Sequence, residues 1–183
     1  MIESTTEPDV IVRRATVADA ATLTELAARL FAQTFGPANT EQDMREFLAA
    51  TYTLERQTVE LADPARVTWL AESRDGVPIG FALLRHGSRS DGVAGERPVE
   101  VQRIYADRSV HGRGIGARLL AACVDTAREW SADVLWLAVW EHNARAIAFY
   151  EKHGFGRVGV QDFQLGSDTQ HDHVMARILS FSE

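Results

Sequence analysis

Residues 108–120, Arg-Ser-Val-His-Gly-Arg-Gly-Ile-Gly-Ala-Arg-Leu-Leu, carry the densest chemical signal in the chain. Glycines at 112, 114 and 116 stand between a predicted strand and a predicted helix. Without Cβ atoms in the way, backbone N–H groups can converge there on one anion, and the helix start adds partial positive charge. Arg113 and Arg118 could supplement them with charge-assisted bonds. The arrangement suits a phosphate or pyrophosphate; the plainer alternative is a turn whose glycines serve close packing. A P-loop would need Gly-Lys-Ser/Thr, which is absent. Gly112-x-Gly114-x-x-Ala117 does fit a dinucleotide fingerprint, with Glu141 at the end of the next predicted strand. Against it, polar residues 107–109 separate the strand from the glycines, and too little chain follows Ala117 to complete a dinucleotide domain.

Other groups could move protons. Glu100 is a carboxylate between Val99 and Val101 on a predicted strand. Burial would favour its neutral form, a recognised way to tune a base, whereas strict alternation would leave it facing solvent. Tyr150 follows Asn143 by seven residues, two helical turns on and nearly the same face. It is either an acid at a site or a core aromatic. His171 and His173 flank Asp172, and His-x-His could ligate a metal, but no third ligand is organised beside it, so no metal is expected. A neutral imidazole there could relay a proton. Cys123, the only cysteine, shares an apolar helix face with Leu119, Leu120 and Ala127 and reads as a small buried hydrophobe.

The elements that must position these groups follow from the hydrophobic period. Residues 1–9 read as a flexible tail and 10–183 as one domain. A strand is expected over 10–13. A helix opens at the capping-box-like Thr16-x-x-Asp19, carries Leu23, Leu26, Leu30 and Phe31 at helical spacing, and stops at Gly36-Pro37. Asn39-Thr40 caps a second helix, and a third spans 54–61. Strands at 67–71 and 79–84 flank a turn at 74–76. Residues 86–98 are Gly/Ser-rich and read as a mobile loop. The next strand runs from Val99 to Tyr105, its alternation slipping near Arg103 as at a bulge. Then come a helix over 114–130, a buried strand over 134–140, a helix over 144–153, and strands at 158–163 and 173–179. This order predicts an α/β fold with a sheet of mixed direction, not a doubly wound parallel one.

Composition narrows the partners. The chain has 183 residues, 26 acidic against 19 Lys+Arg, and a net charge of −7. One domain of this size buries a sufficient core without disulfides. The acidic balance argues against nucleic acid and against an anionic membrane surface, and tolerates a small cationic substrate. The N-terminus has no apolar region of signal-peptide type, so a cytoplasmic protein is expected.

Three segments together resemble the Gcn5-related N-acetyltransferase (GNAT) superfamily. Arg103-Ile-Tyr-Ala106 leading into His111-Gly-Arg-Gly-Ile-Gly116 is similar to that family's Gln/Arg-x-x-Gly-x-Gly/Ala motif, with His111 where Gln or Arg is usual. Leu137 to Phe155, containing Asn143, Ala146, Tyr150 and Gly154, is similar to its second block. The order of elements agrees over about residues 10–180. Thr34-Phe35, Asn39-Thr40-Glu41-x-Asp43, Glu100-x-x-Arg103-Ile104-Tyr105 and Asp172-His-Val-Met175 resemble its small bacterial polyamine N-acetyltransferase branch.

The resemblance implies a single GNAT-like domain, a mostly antiparallel sheet flanked by helices, and acetyl-CoA as co-substrate. It implies a coenzyme A site made of Ile104, Tyr105, Ala106, His111, Gly112, Arg113, Gly114, Ile115, Gly116, Ala117, Asn143 and Lys152. The bulged strand would offer backbone N–H to the thioester carbonyl, and Ile104 and Ala106 would pair with the pantetheine amides. Tyr150 becomes the expected general acid and Glu100 the expected base, direct or through water. The expected reaction is direct attack by a primary amine of a small cationic acceptor, a polyamine being the named candidate, in a monomer or homodimer. Six acids in residues 38–63 (Glu41, Asp43, Glu46, Glu55, Glu60 and Asp63) could rim the acceptor cleft or simply face solvent. A peptide N-acetyltransferase and a non-catalytic acyl-CoA sensor are the alternatives.

Overall fold

The computed structural model describes residues 10–179. The tail expected at 1–9 lies outside the described residues, as do residues 180–183. Seven strands form one sheet in the order β1-β2-β3-β4-β5-β7-β6. They are β1 (Val10–Arg14), β2 (Arg66–Ser73), β3 (Pro78–His86), β4 (Pro98–Ala106), β5 (Val134–Trp140), β6 (Gly156–Leu165) and β7 (Asp168–Ile178). Every neighbouring pair is antiparallel except β4–β5, as the mixed-sheet expectation requires.

Helices cover both faces. α1 (Ala20–Phe35), α2 (Glu41–Thr51) and α3 (Leu54–Ala62) lie on one, α4 (Ile115–Glu129) and α5 (Ala144–Lys152) on the other. Leu23, Leu26, Leu30 and Phe31 point inward from α1 onto Leu70 and Phe81 of the sheet. Leu119, Leu120 and Cys123 of α4 pack on Val99, Leu135 and Met175. Each large side chain buried in this way contributes roughly 1.5–3 kcal/mol relative to exposure.

The bulge falls beside Arg103, as expected. Leu83 of β3 faces Arg103 and the next residue, Leu84, faces Val101, so Gln102 is the extra residue of β4. One inserted residue reverses the alternation beyond it. Val99, Val101, Ile104 and Ala106 therefore all face α4 and α5, while Glu100, Arg103 and Tyr105 share the α1–α3 face.

β4 and β5 pair only over Pro98–Glu100 and Val134–Trp136. Beyond that point β4 pairs with β3 alone and β5 with β7 alone. The strands part like the arms of a fork, leaving two facing edges whose backbone N–H and C=O groups lack each other as partners.

Two outcomes differ from the sequence expectation. Residues 87–97 do not hang free. Arg89 donates to the Gly95 and Glu96 carbonyls at 2.9 and 2.7 Å, and Ser90 Oγ donates to Gln161 at 3.0 Å. The amides of Glu96 and Arg97 donate to the Asp133 carboxylate. The last hairpin is also longer than expected, because its tight turn is fastened to α2. Asp43 accepts from Ser167 N at 2.7 Å, Ser167 Oγ at 2.9 Å and Thr40 Oγ1 at 2.6 Å. A Cβ on Gly166 would come within 2.3 Å of Asp43 Oδ1, so glycine is required there.

Candidate active site

The glycine turn connects the open arm of β4 to α4. Gly112 and Gly114 have φ of 79° and 77°, and Gly114 is the helix N-cap without any side-chain capping bond. Arg118 N–H is the first of this helix to reach a carbonyl, that of Gly114 at 3.0 Å. The amides of Ile115, Gly116 and Ala117 ahead of it are left for an outside acceptor. Nothing lies within 4 Å of a Cβ built on Gly112 or Gly114, so the loop opens onto free space where Arg113 and Arg118 are exposed.

His111 bridges the loop instead of extending from it. Its Nε2 lies 3.0 Å from the Ala106 carbonyl, and its Nδ1 accepts from Arg145 at the start of α5. With Nδ1 accepting, Nε2 must carry the proton and donate to Ala106 O. Arg145 was missed by sequence reasoning; its position two residues after Asn143 was the available signal.

Asn143 caps α5, its Oδ1 accepting from Ala146 N at 3.2 Å. Tyr150 is buried on the same helix, packed against Phe149 and Phe155. Burial drives its pKa far up, with Tyr105 close enough to add to the effect, and the phenol stays protonated. Among the described residues its hydroxyl has no hydrogen-bond partner. Tyr105, on the opposite arm, is likewise pushed up to about 12 by burial. Lys152 is exposed in the last turn of α5 and makes no polar contact with the rest of the expected set among the described residues.

Glu100 stands where the fork begins, opposite Arg85 of β3 and Trp136 of β5. Burial raises its pKa, although Ser88, Arg85, Arg66 and Arg103 pull the other way. Its Oε2 is buried without a partner. A half-buried carboxyl with one idle oxygen can hold or receive a proton. Gln102 Oε1, at the bulge, is idle too.

The acidic residues of 38–63 do other work. Glu60 grips Arg103 at 2.7 and 3.1 Å and also meets Arg66 at 3.1 Å. Arg103 in turn lies over the Tyr52 ring, 5.4 Å from its centroid. Asp63 pairs with Arg66, Asp43 holds the hairpin turn, and Glu41, Glu46 and Glu55 are exposed. Next to the loop, burial alone would raise Asp107, but hydrogen bonds from Ser109, Gln33 and Arg29 hold it down to about 2.

The residues present fit coenzyme A on two counts: a slot of unpaired strand edges for an amide-bearing arm, and a basic, amide-lined helix start for a pyrophosphate. The Acetyltransferase (GNAT) family model matches residues 25–155. The chain belongs to that family. This GNAT chain is 35% identical over 161 residues to an uncharacterised N-acetyltransferase of Mycobacterium tuberculosis, covering 88% of this chain and 98% of the relative. A spermine/spermidine N(1)-acetyltransferase of Bacillus subtilis is a more distant match, 28% identical over 90 residues, 49% of this chain and 59% of that protein. Among solved structures, the PaiA N-acetyltransferase of Thermoplasma acidophilum in complex with coenzyme A superimposes with a TM-score of 0.74 at 20% identity, covering 93% and 99% of the two chains.

This GNAT chain is thus an acetyl-CoA-dependent N-acetyltransferase. Among the described residues, no helix is long and apolar enough to cross a membrane, and no group of three or more His, Cys, Asp or Glu is placed to hold a metal ion.

Proposed function

We propose that the chain acetylates a primary amine of a small cationic acceptor, with a polyamine as the first candidate, and that Tyr150 and Glu100 manage the protons. The observation that carries this reading is the fork. Tyr150, buried and protonated on α5, feels Tyr105 of the open β4 arm, and Glu100, whose Oε2 has no partner, stands where the strands part. Bound acetyl-CoA supplies an acetyl group already activated as a thioester.

The chain's own contributions follow from position. Ile104, Tyr105 and Ala106 offer backbone groups on the open arm of β4 to the pantetheine. Residues His111 to Ala117, with Asn143 and Lys152 nearby in sequence to the second arm, complete the coenzyme site. An amine must be neutral to attack, and Glu100 takes its proton at Oε2, directly or through water. A backbone N–H at the bulge stabilises the charge that develops on the carbonyl oxygen. The Tyr150 hydroxyl delivers a proton to the departing sulfur.

Release of CoA thiol from acetyl-CoA, measured with spermidine, spermine, diamines, amino acids and short peptides, tests the reading. Turnover with polyamines supports it. Turnover with peptides alone keeps the N-acetyltransferase and rejects the small acceptor. Tight acetyl-CoA binding with no turnover favours an acyl-CoA sensor.

A further inference from the structure

Asp172 is a further carboxyl on the α1–α3 face, and nothing in the reaction described above uses it. It lies on β7, opposite Trp140 of β5 and Gln161 of β6, at the wide end of the fork. Gln170, Asp172 and Val174 alternate with Met175, which faces α4, so their side chains belong to the α1–α3 face. Asp172 is only 8% exposed. Among the described residues it has neither a hydrogen bond nor an ion pair.

A buried carboxylate without a counter-charge is costly unless something supplies one. Two residues away on the same face, Gln170 is 9% exposed and its Oε1 is buried without a donor. Two idle acceptors therefore share one stretch of strand. Partly exposed aromatic rings stand around them. Phe35 of α1 meets Trp140 at 6.0 Å and Tyr105 at 6.4 Å, and His142 lies edge-on to Trp140 at 5.3 Å. Such faces attract a cation.

The titratable groups facing Asp172 are Tyr105 from β4 and Glu141 just past β5. α1 presents Phe35 and β6 presents Gln161, neither of which titrates. Burial, with Glu141 adding to it, raises Asp172 to about 6, so at neutral pH it is largely ionised yet unpaired.

We infer that Asp172 and the aromatic mouth formed by Phe35, Tyr105 and Trp140 are the specificity site for the acceptor, taking an ammonium group of a di- or polyamine other than the amine that reacts. An alkylammonium has three N–H donors and a positive charge. It matches the unpaired Asp172 carboxylate, the idle Gln170 Oε1 and the surrounding rings. A neutral alcohol of equal size matches only the rings. This rests on the amine-acceptor reading, and it places recognition at β7, away from the acids of residues 38–63.

The test uses the full chain saturated with CoA, titrated calorimetrically with n-butylammonium and with n-butanol, alongside NMR of the Asp172 carboxyl carbon. Butylammonium is expected to bind, butanol is not, and Asp172→Asn is expected to weaken the cation by about 10- to 100-fold. The carboxyl midpoint in wild type should fall below 6 when butylammonium is added. That readout needs no variant, so misfolding of Asp172→Asn cannot obscure it. Equal cation affinity in the variant, or an unmoved carboxyl midpoint, overturns the inference. With whichever acceptor the panel finds best, Asp172→Asn should raise KM much more than it lowers kcat; an unchanged KM also overturns it. Loss of CoA binding by wild type would instead count against the acetyl-transfer reading, and the carboxyl titration can still be scored on the free protein.

Discussion

Glu100 and Asp172 lie on the same face of the sheet at opposite ends of the β4–β5 fork. Glu100 is opposite Trp136, where the strands still pair, and Asp172 is opposite Trp140, four residues further along β5. At roughly 3.3 Å per residue the two registers are about 13 Å apart along the strand. The proposed roles, proton acceptance and acceptor recognition, thus fall to different carboxyls.

Tyr150→Phe should lower kcat by about 10²–10⁴ while leaving acetyl-CoA affinity unchanged, because only the transferable proton is removed. The ring packs on Phe155 in either case, so the melting temperature should hold. Steady-state kinetics and a thermal melt check both. Undiminished turnover would remove Tyr150 as the acid.

Glu100 should set the acidic limb of the rate profile. Burial raises its pKa, so kcat/KM should rise with pH through a midpoint above the ordinary value of about 4.3 for a glutamate. Glu100→Gln should abolish that limb and cut turnover at neutral pH. Partial recovery is expected at higher pH, where the amine loses its proton unaided. A pH–rate profile of both proteins decides this.

Asp172 makes a prediction about stability with the sign fixed by its direction. Its folded pKa of about 6 exceeds the ordinary value of about 3.9. The stabilising effect of its neutral form is complete below pH 4 and is lost as pH rises through 6. Asp172→Asn, which cannot ionise, should therefore add about 1–2 kcal/mol at pH 8 and little at pH 4. Denaturant titrations at the two pH values measure it; equal effects at both would show that the carboxyl is not held out of water.

Sequence reasoning reached the site unevenly, for physical reasons. The glycine turn, the bulge and the Asn143 cap are local patterns, so their residues were legible. Glu60 and Arg103 are 43 positions apart, and no local pattern shows that they neutralise each other, which is why Glu60 read only as a rim acid or a solvent-facing one. Asp172 was noticed between two histidines and within Asp172-His-Val-Met175, with no role of its own assigned to its carboxyl. Its flanking residues, His171 and His173, are polar, so the apolar neighbours that singled out Glu100 are absent there. The length of β4–β5 pairing depends on the twist and packing of both faces, and nothing within either strand announces where the fork opens.

Gly114→Ala separates loop chemistry from folding. A residue with φ of 77° pays about 1 kcal/mol or somewhat more in stability if it carries a Cβ. No protein atom lies within 4 Å of that Cβ, so the fold should survive while acetyl-CoA binding weakens more than tenfold. Calorimetric titration beside a thermal melt reports the two effects independently.

The fork itself is the central claim, and amide hydrogen exchange with and without acetyl-CoA tests it most directly. The account predicts new protection of backbone amides on the parted arms, residues 102–106 and 137–140, together with the glycine turn at 112–117. Protection confined to other strands or to helix surfaces, with both arms exchanging as before, would contradict it.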